Sequence, residues 1–402
     1  MFKILIFIVS ISILLECLIT LLFFWLKKDF QWLVNKDDEN PRFDKLRFNR
    51  FLKNSFDEYL GWDRKRSTSG FELSNRKTYF KINSSGSRGK RMYKKDGISV
   101  FGDSFAFCRY VNDNETWQYN LSKKHKTNIL NFGVGNYGLD QAFLKYIKNR
   151  KKIKTSKVVF CVVPETIARV FSYWKHFREF NNIFAIKPLI NLKKDKPSVI
   201  SIPKLETQAV SENLLRFDAK FLKKVKKEDF FYTSKFKKNM FKFPFTFSYL
   251  KNFKLNSYLF YYLIIHRVLK TVNSKYDKKY YFLACSKVFQ ENILDSHNLY
   301  QKEFYKRGFK RLLKFIDDFF KSKKIKYSIL IVPQYYDLKF NESRAKYINF
   351  FKKLNNPNIL DVSEEILCHK NWKKYYFVDK YGGHLNKQGN KLLANLLYKK
   401  NL

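Results

Sequence analysis

Two short segments near opposite ends of the chain hold the residue types needed for nucleophilic catalysis. One is Gly-Asp-Ser-Phe at 102–105, directly after the β-type run 98–101, and the other is Gly-Gly-His-Leu-Asn-Lys-Gln-Gly-Asn at 382–390. A serine at the carboxyl end of a strand is where an open α/β sheet places a reactive group. A serine hydroxyl needs a neighbouring base, most often histidine, before it attacks. The segments predict Ser104 as nucleophile and His384 as base; the alternatives are a helix-capping serine and a histidine hydrogen-bonded at a helix start.

Together the two segments resemble the first and last blocks of the SGNH (GDSL) esterase and acyltransferase superfamily. There, Gly-Asp-Ser follows a hydrophobic strand, and His-Leu-(Asn/Ser)-x-x-Gly-(Asn/His) opens the C-terminal helix. The resemblance covers residues of about 80–170 and 300–402. It implies a three-layer αβα, flavodoxin-like parallel sheet. It also implies a serine hydrolase or acyltransferase that uses no metal and no organic cofactor.

The resemblance further implies an aspartate that orients the histidine. The family usually has it three residues before the histidine, where this chain has Tyr381. Asp379, five residues before His384, is our candidate, because the intervening Gly-Gly pair lets the loop fold back. A Ser–His dyad or another carboxylate is the alternative.

The hydrogen-bond donors that bind the oxyanion in the family have partial counterparts in this chain. The N–H of Ser104 is one, and the glycine-rich segment after the second strand offers Gly135 or Asn136 as another. Where the family usually has Gly-x-Asn-Asp, this chain has Glu165, whose carboxylate repels an oxyanion unless it is protonated or paired, for example with Arg169. An ordinary i,i+4 helix pair would also join Glu165 to Arg169.

The elements that position these residues alternate between strand and helix. Continuous apolar runs rich in β-branched residues are typical of strands buried on both faces, and helix-like stretches at 139–150 and 301–323 lie between them. This alternation predicts a parallel sheet with helices on both faces. The predicted strands are 97–101, 127–132, 157–163, 326–332 and 358–362.

One stretch departs from this alternation. Residues of about 170–300 are dense in Lys and Phe and are too long for an ordinary crossover. We expect them to form an inserted cap over the carboxyl edge of the sheet. The predicted organisation is therefore an anchor at 1–28, a juxtamembrane linker at 29–79, and an SGNH-like domain at 80–402 that carries the insertion.

Residues 4–26 form an almost wholly apolar run, long enough to cross a hydrocarbon core of about 30 Å. The run ends in Phe-Phe-Trp-Leu-Lys-Lys and not in a small-x-small cleavage site, which favours a retained single-pass anchor over a cleaved signal. Glu16 near mid-span is unfavourable there unless it is paired or protonated. Lys27 and Lys28 pull the large domain toward the cytoplasm, but the whole chain is rich in lysine, so the side of the membrane stays undecided.

The formal net charge of +45 is spread along the chain. Lysine, Phe and Tyr are all abundant and share A/T-rich codons, so base composition explains the excess. No helix-turn-helix, zinc-finger spacing or concentrated basic stripe predicts a nucleic-acid partner, whereas acidic glycans and lipid headgroups remain compatible with the charge. The five cysteines are odd in number and widely spaced, and they predict neither a disulfide framework nor a zinc site.

Two functions of different classes fit these patterns. The first is an ester hydrolase or O-acyltransferase that acts on an acylated small molecule or surface glycan through an acyl-Ser104 intermediate. The second is a non-catalytic, membrane-tethered module that binds a glycan or a protein with a decayed SGNH site. The Ser104 and His384 segments favour the first, and Tyr381 and Glu165 favour the second.

Overall fold

The structure is a computed structural model that describes residues 2–73, 76–192, 197–379 and 382–402. The chain forms two compact units, each made of separate stretches of sequence. The first contains Met1–Phe48, Tyr173–Ala185 and Pro203–Phe289, and the second contains Asn49–Ser172, Ile186–Ile202 and Gln290–Leu402. All of the predicted site residues belong to the second unit.

Strands and helices have the following bounds in the described residues. The strands are β1 Phe43–Asp44, β2 Phe56–Asp57, β3 Gly61–Trp62, β4 Thr68–Leu73, β5 Lys77–Ile82, β6 Asp96–Gly102, β7 Asn128–Asn131, β8 Lys157–Val162, β9 Leu189–Asn191, β10 Ser198–Ile200, β11 Thr207–Ser211, β12 Leu214–Phe217, β13 Lys326–Ile331, β14 Ile359–Asp361, β15 Tyr376–Asp379 and β16 Gly382–Leu385. The α-helices are α1 Phe2–Lys27, α2 Lys45–Asn54, α3 Ser104–Phe107, α4 Trp117–His125, α5 Leu139–Asn149, α6 Thr166–Phe171, α7 His176–Glu179, α8 Ala219–Glu228, α9 Lys237–Asn239, α10 Phe245–Lys251, α11 Phe253–Thr271, α12 Asp277–Leu299, α13 Glu303–Ser322, α14 Tyr335–Lys339, α15 Asn341–Leu354, α16 Ser363–Leu367 and α17 Lys387–Lys399.

The second unit is built on a five-stranded sheet with the order β14-β13-β8-β6-β7. Every neighbouring pair in it is parallel, with Val100 opposite Val159 and Ile329 opposite Phe160. Each of the five strands predicted from apolar runs forms, within one residue of the predicted bounds at either end. The prediction of an α/β architecture with a parallel sheet is confirmed.

Helices cover both faces of this sheet, because successive side chains of a strand point to opposite faces. On one face, Val100 and Val159 belong to an apolar cluster with Leu121 of α4 and Leu393 of α17. On the other face, aromatic rings dominate and come from the sheet and from helices α5 and α13. These rings are Phe101, Phe160, Phe143, Tyr146 and Phe320. Such layering is consistent with an αβα arrangement.

In the first unit, helix α1 is 26 residues long and apolar enough to cross a membrane, which are features that it shares with signal sequences. The last two turns of α1 pack into the core of the first unit. Phe23 and Leu26 have no exposed surface and lie in an apolar cluster with Phe241, Leu259 and Phe260. The end of the predicted anchor is therefore part of a folded core.

The stretches predicted as linker and insertion have regular structure in the described residues. Residues 29–79 include helix α2 and most of the antiparallel hairpin β4–β5. Within 170–300, helices α8 and α10 to α12 predominate, and strands β11 and β12 form a small sheet with β1. The first unit thus combines the N-terminal segment with most of the insertion.

Candidate functional site

Ser104 lies where strand β6 ends and helix α3 begins. Its Oγ is 2.9 Å from Nε2 of His384, a residue 280 positions away. Asp103 caps α3, since its Oδ1 accepts the N–H of Phe105 at 2.8 Å. Ser104 itself is the first helical residue, so the alternative in which Ser104 caps the helix is wrong, and its hydroxyl is turned to the histidine.

Gly102 makes this abrupt strand-to-helix turn possible. Its φ of +152° is one that side-chain-bearing residues rarely adopt, and a Cβ built on it would lie 1.8 Å from the carbonyl oxygen of Cys161 on β8. The strands β6 and β8 therefore approach each other closely at the point where Ser104 emerges. Only glycine fits there.

His384 lies in β16, directly before the last helix. The next polar residue, Asn386, caps α17 by accepting the N–H of Gly389 at 3.0 Å. The imidazole stacks on Phe105, with ring centroids 5.0 Å apart, and meets the edge of Tyr110 at 5.5 Å. These two rings fix the plane of the imidazole.

The pKa of His384 is well below the usual histidine value of 6.5. Burial is the main cause, and the positive charges of Arg109 and Arg169 add to it. The imidazole is therefore neutral at pH 7, and its Nε2 can accept the proton of Ser104. This is the protonation state that a general base requires.

The other imidazole nitrogen, Nδ1 of His384, is buried and has no hydrogen-bond partner within the part of the chain that the structure describes. The predicted orienter, Asp379, is the last residue of β15 and pairs through its backbone with Gly382. The side chain of Asp379 and all of Tyr381 lie outside the described residues. The role of Asp379 stays a prediction.

Polar residues follow three neighbouring strands of the sheet and form one buried network. Asp103 follows β6, Glu165 follows β8 and Gln334 follows β13. Arg169 joins the first two, with 3.2 Å between its Nη1 and Asp103 Oδ2 and 2.7 Å between its Nη2 and Glu165 Oε2. Gln334 Nε2 lies 3.4 Å from the same Glu165 oxygen. Because carboxyl ends of parallel strands meet at one edge, this network lies beside Ser104.

The Glu165–Arg169 pair does have i,i+4 spacing, but both side chains are less than a tenth exposed and Arg169 also reaches Asp103. The guanidinium thus serves two buried carboxylates. Burial, as the largest cause, raises the pKa of Asp103, and the nearby Glu165 adds to the rise, while Arg169 opposes both. The carboxylate of Glu165 is therefore not isolated, because the guanidinium of Arg169 is paired with it.

The loop after β7 lies against the nucleophile helix. A Cβ on Gly133 would lie 2.2 Å from the backbone nitrogen of Phe107 in α3, so the loop and the helix are in close contact. Asn136 has a left-handed φ of +69° and occupies a position suited to glycine. Gly135 is held by its carbonyl, which accepts the indole N–H of Trp62 at 3.0 Å. The structure thus brings this loop to α3, and the oxyanion roles of Gly135 and Asn136 stay predictions.

Several residues of this region were not predicted from the sequence as site residues. Asp103, Gln334 and Gly133 are among them, and so is the buried pair of Asp337 with His297, whose Oδ1 and Nε2 are 2.7 Å apart. Gln334 joins this pair to the network, because its N–H donates to Asp337 Oδ2 at 2.6 Å. Asp103 and Gln334 each lie two residues after the end of a predicted strand, and this position could have identified them as candidate site residues from the sequence.

No family model matches this chain, and no curated protein matches it. Among solved structures, a lipolytic protein of the G-D-S-L family from Desulfitobacterium hafniense DCB-2 matches with 19% sequence identity and a TM-score of 0.16. The match covers 17% of this chain and 39% of that chain. The chain thus spans well under half the length of that structure.

Proposed function

We propose that this protein is a serine-dependent ester hydrolase or O-acyltransferase of the SGNH type. The observation that supports it most is the 2.9 Å contact between Ser104 Oγ and His384 Nε2 at the carboxyl edge of a parallel sheet. Nucleophilic acyl transfer needs a hydroxyl within hydrogen-bond reach of a neutral base, and the low pKa of His384 keeps that base neutral.

In the proposed reaction, Ser104 Oγ attacks the carbonyl carbon of an ester while His384 Nε2 takes the hydroxyl proton. The tetrahedral intermediate collapses, and the leaving alkoxide receives that proton from the imidazolium. The products of this step are an alcohol and an acyl-Ser104 ester. Water, in a hydrolase, or a second hydroxyl, in a transferase, then attacks the acyl group with His384 again as the base.

The negative oxygen of the intermediate needs hydrogen-bond donors. We assign this role to the N–H of Ser104 and to the Gly135–Asn136 loop. The close contact of Gly133 with Phe107 supports the assignment, because it brings this loop to the helix that carries the nucleophile. Arg169 supports it as well, since its guanidinium offsets the charges of Glu165 and Asp103 near the same edge.

We assign the role of orienting His384 through its Nδ1 to Asp379. The rings of Phe105 and Tyr110 already hold the imidazole plane. A Ser–His dyad that relies on these rings is therefore the alternative mechanism. The reaction needs neither a metal nor an organic cofactor in either form.

We further propose that α1 is a retained single-pass anchor and that the substrate is an acylated small molecule or glycan. Phe23 and Leu26 are fully buried in the apolar cluster of the first unit. Cleavage after α1, as for a signal sequence, would remove both side chains and leave a cavity, which in folded cores costs about 2–5 kcal/mol for each large side chain. This burial favours retention.

The second candidate, a non-catalytic glycan- or protein-binding module, is favoured by one observation. Tyr381 stands where the SGNH family usually has the aspartate that orients the histidine, whereas an active triad has a carboxylate there. Labelling with a fluorophosphonate distinguishes the two functions, because the probe reacts only with an activated serine. We expect one covalent adduct on the full chain in detergent, located at Ser104 by peptide mass spectrometry. A chain that stays unlabelled, with Ser104 intact, would favour the binding module.

The pH dependence of the reaction should follow the low pKa of His384. Protonation of the imidazole removes the base, so kcat/KM falls only when the pH approaches the pKa of the free protein. We expect kcat/KM for a short-chain aryl ester to stay level as the pH falls through 6.5, with the acid limb displaced below that value.

The variant Arg109→Gln tests whether the positive charge of Arg109 contributes to the low pKa of His384. Removing this positive charge should raise the pKa of His384 and move the acid limb to higher pH, whereas Arg109→Lys should leave the limb in place. An acid limb at or above pH 6.5 in the unmodified protein would contradict the assignment of His384 as a buried base.

A further inference from the structure

Helix α10 lies against α1 within the first unit. The Glu16 carboxylate of α1 accepts hydrogen bonds from the N–H groups of Phe245 at 2.5 Å and Thr246 at 2.8 Å. The ring of Phe245 packs on Phe23 and Phe24, with centroids 5.2 and 5.5 Å apart. The start of α10 is therefore fixed beside the C-terminal half of α1.

This contact sets a depth for α10 in a membrane that α1 spans. Phe23 is the first residue of α1 that is buried in the unit's apolar cluster, and it follows Glu16 by seven residues, which is about 10 Å along a helix. One leaflet contributes about 15 Å of hydrocarbon, so α10 begins inside the leaflet that holds the C-terminal part of α1. Unsatisfied N–H groups and a lone carboxylate are both costly there, and the contact between Glu16 and α10 satisfies both.

Four large apolar side chains in and beside α10 are exposed. Phe243, Phe247, Leu250 and Phe253 are 77%, 64%, 57% and 57% exposed, and we call them the Phe243–Phe253 face. Phe247 and Leu250 are three residues apart on α10 and therefore share a side of it. Water-soluble surfaces rarely group so many large apolar side chains.

The sequence around this face is positively charged, which suits a surface of anionic lipids. Residues 230–276 contain eight lysines and one arginine and no Asp or Glu. Lys242, Lys251 and Lys254, which flank the face, are exposed. Lysine stems can lie along apolar surface while the ammonium groups stay at the headgroups, and anionic lipids attract such groups.

We propose that the Phe243–Phe253 face inserts into the bilayer leaflet that holds the C-terminal end of α1, with its flanking lysines at anionic lipid headgroups. The first unit then contacts the membrane through a second element besides its anchor. Phenylalanines inside the boundary and lysines at it are the pattern of interfacial helices. This inference rests on the proposed anchoring by α1 and is independent of the ester chemistry.

The test measures the depth of single labels in the full chain. In a Cys17→Ala/Cys368→Ala background, which removes the two exposed cysteines, Phe247→Cys is labelled with an environment-sensitive fluorophore. The protein is reconstituted in vesicles of phosphatidylcholine and phosphatidylglycerol that contain a nitroxide lipid. Leu14→Cys on α1 reports the anchor, and Phe71→Cys, an exposed aromatic position of the second unit, is the matched aqueous control.

We expect the labels at positions 14 and 247 to lose most of their fluorescence to the nitroxide lipid and to be protected from aqueous iodide, and the label at 71 to behave oppositely. A label at 247 that iodide quenches while position 14 remains in lipid would overturn the inference and leave the anchor intact. Protection of 247 from both quenchers would overturn it in favour of a second copy or another protein. Iodide quenching at both 14 and 247 would overturn the anchor as well.

Discussion

Ser104→Ala should lower kcat for a short-chain aryl ester by at least about 10³-fold, because residues that act as a unit fail together. His384→Ala should cost about as much, and the double variant should be no worse than either single one. The reason is the 2.9 Å contact, in which each side chain is inert without the other. Steady-state kinetics of the full chain in detergent, alongside fluorophosphonate labelling, supply the measurement.

Ser99→Ala is the matched control for this experiment. Ser99 is a buried serine of β6, the strand that leads to Ser104, and its Oγ bonds Thr155 Oγ1 at 3.0 Å and not a histidine. It should retain activity and show a comparable melting temperature. Asp379→Asn, in the same assay, should cost less than Ser104→Ala if Asp379 only orients the imidazole. Full activity of a folded Ser104→Ala protein would place the nucleophile elsewhere.

Gly102→Ala should destabilise the second unit by about 3 kcal/mol or more. The added Cβ would lie 1.8 Å from the backbone oxygen of Cys161, and neither strand can move away without breaking its parallel pairing. Any protein that still folds should also lose activity, since a displacement of about 1 Å at a nucleophile can cost about 10²-fold. Denaturant unfolding followed by circular dichroism gives the free energy of unfolding.

Gly135→Ala is the stability control for that substitution. A Cβ on Gly135 would meet no atom within 4 Å, so the free energy of unfolding should change by no more than about 0.5 kcal/mol. Equal stability of the two variants would mean that the close approach of β6 and β8 at Gly102 is not required.

The parallel sheet was predictable because its signal is local. Runs such as 157–163 are continuously apolar, and a strand buried on both faces needs nothing else to be recognised. The proximity of Ser104 and His384 was also predictable, since Ser104 follows a strand-like run and the segments around both residues resemble blocks of one family. The five strands form within one residue of their predicted bounds.

The buried network beside Ser104 was not predictable in the same way. Glu165 and Arg169 are close in sequence, but their connection to Asp103 and Gln334 depends on which strands become neighbours in the sheet. Strand order is a tertiary property with no local signature. That the first unit is made of three separate stretches was not predictable either. Its apolar cluster joins residues far apart in the chain, such as Phe23 and Phe241, and no local pattern indicates such contacts.

The 280 positions between Ser104 and His384 have a consequence for the newly made chain. At about 5–20 residues per second, a ribosome needs roughly 14–56 s to travel from one codon to the other. Throughout that interval Ser104 has no histidine beside it, so a nascent chain lacks the base of the proposed reaction. A chain that stops before His384 would lack this base too, although all five strands of the parallel sheet precede that residue. Synthesis of the segment that contains His384 is thus the step at which the proposed chemistry first becomes possible.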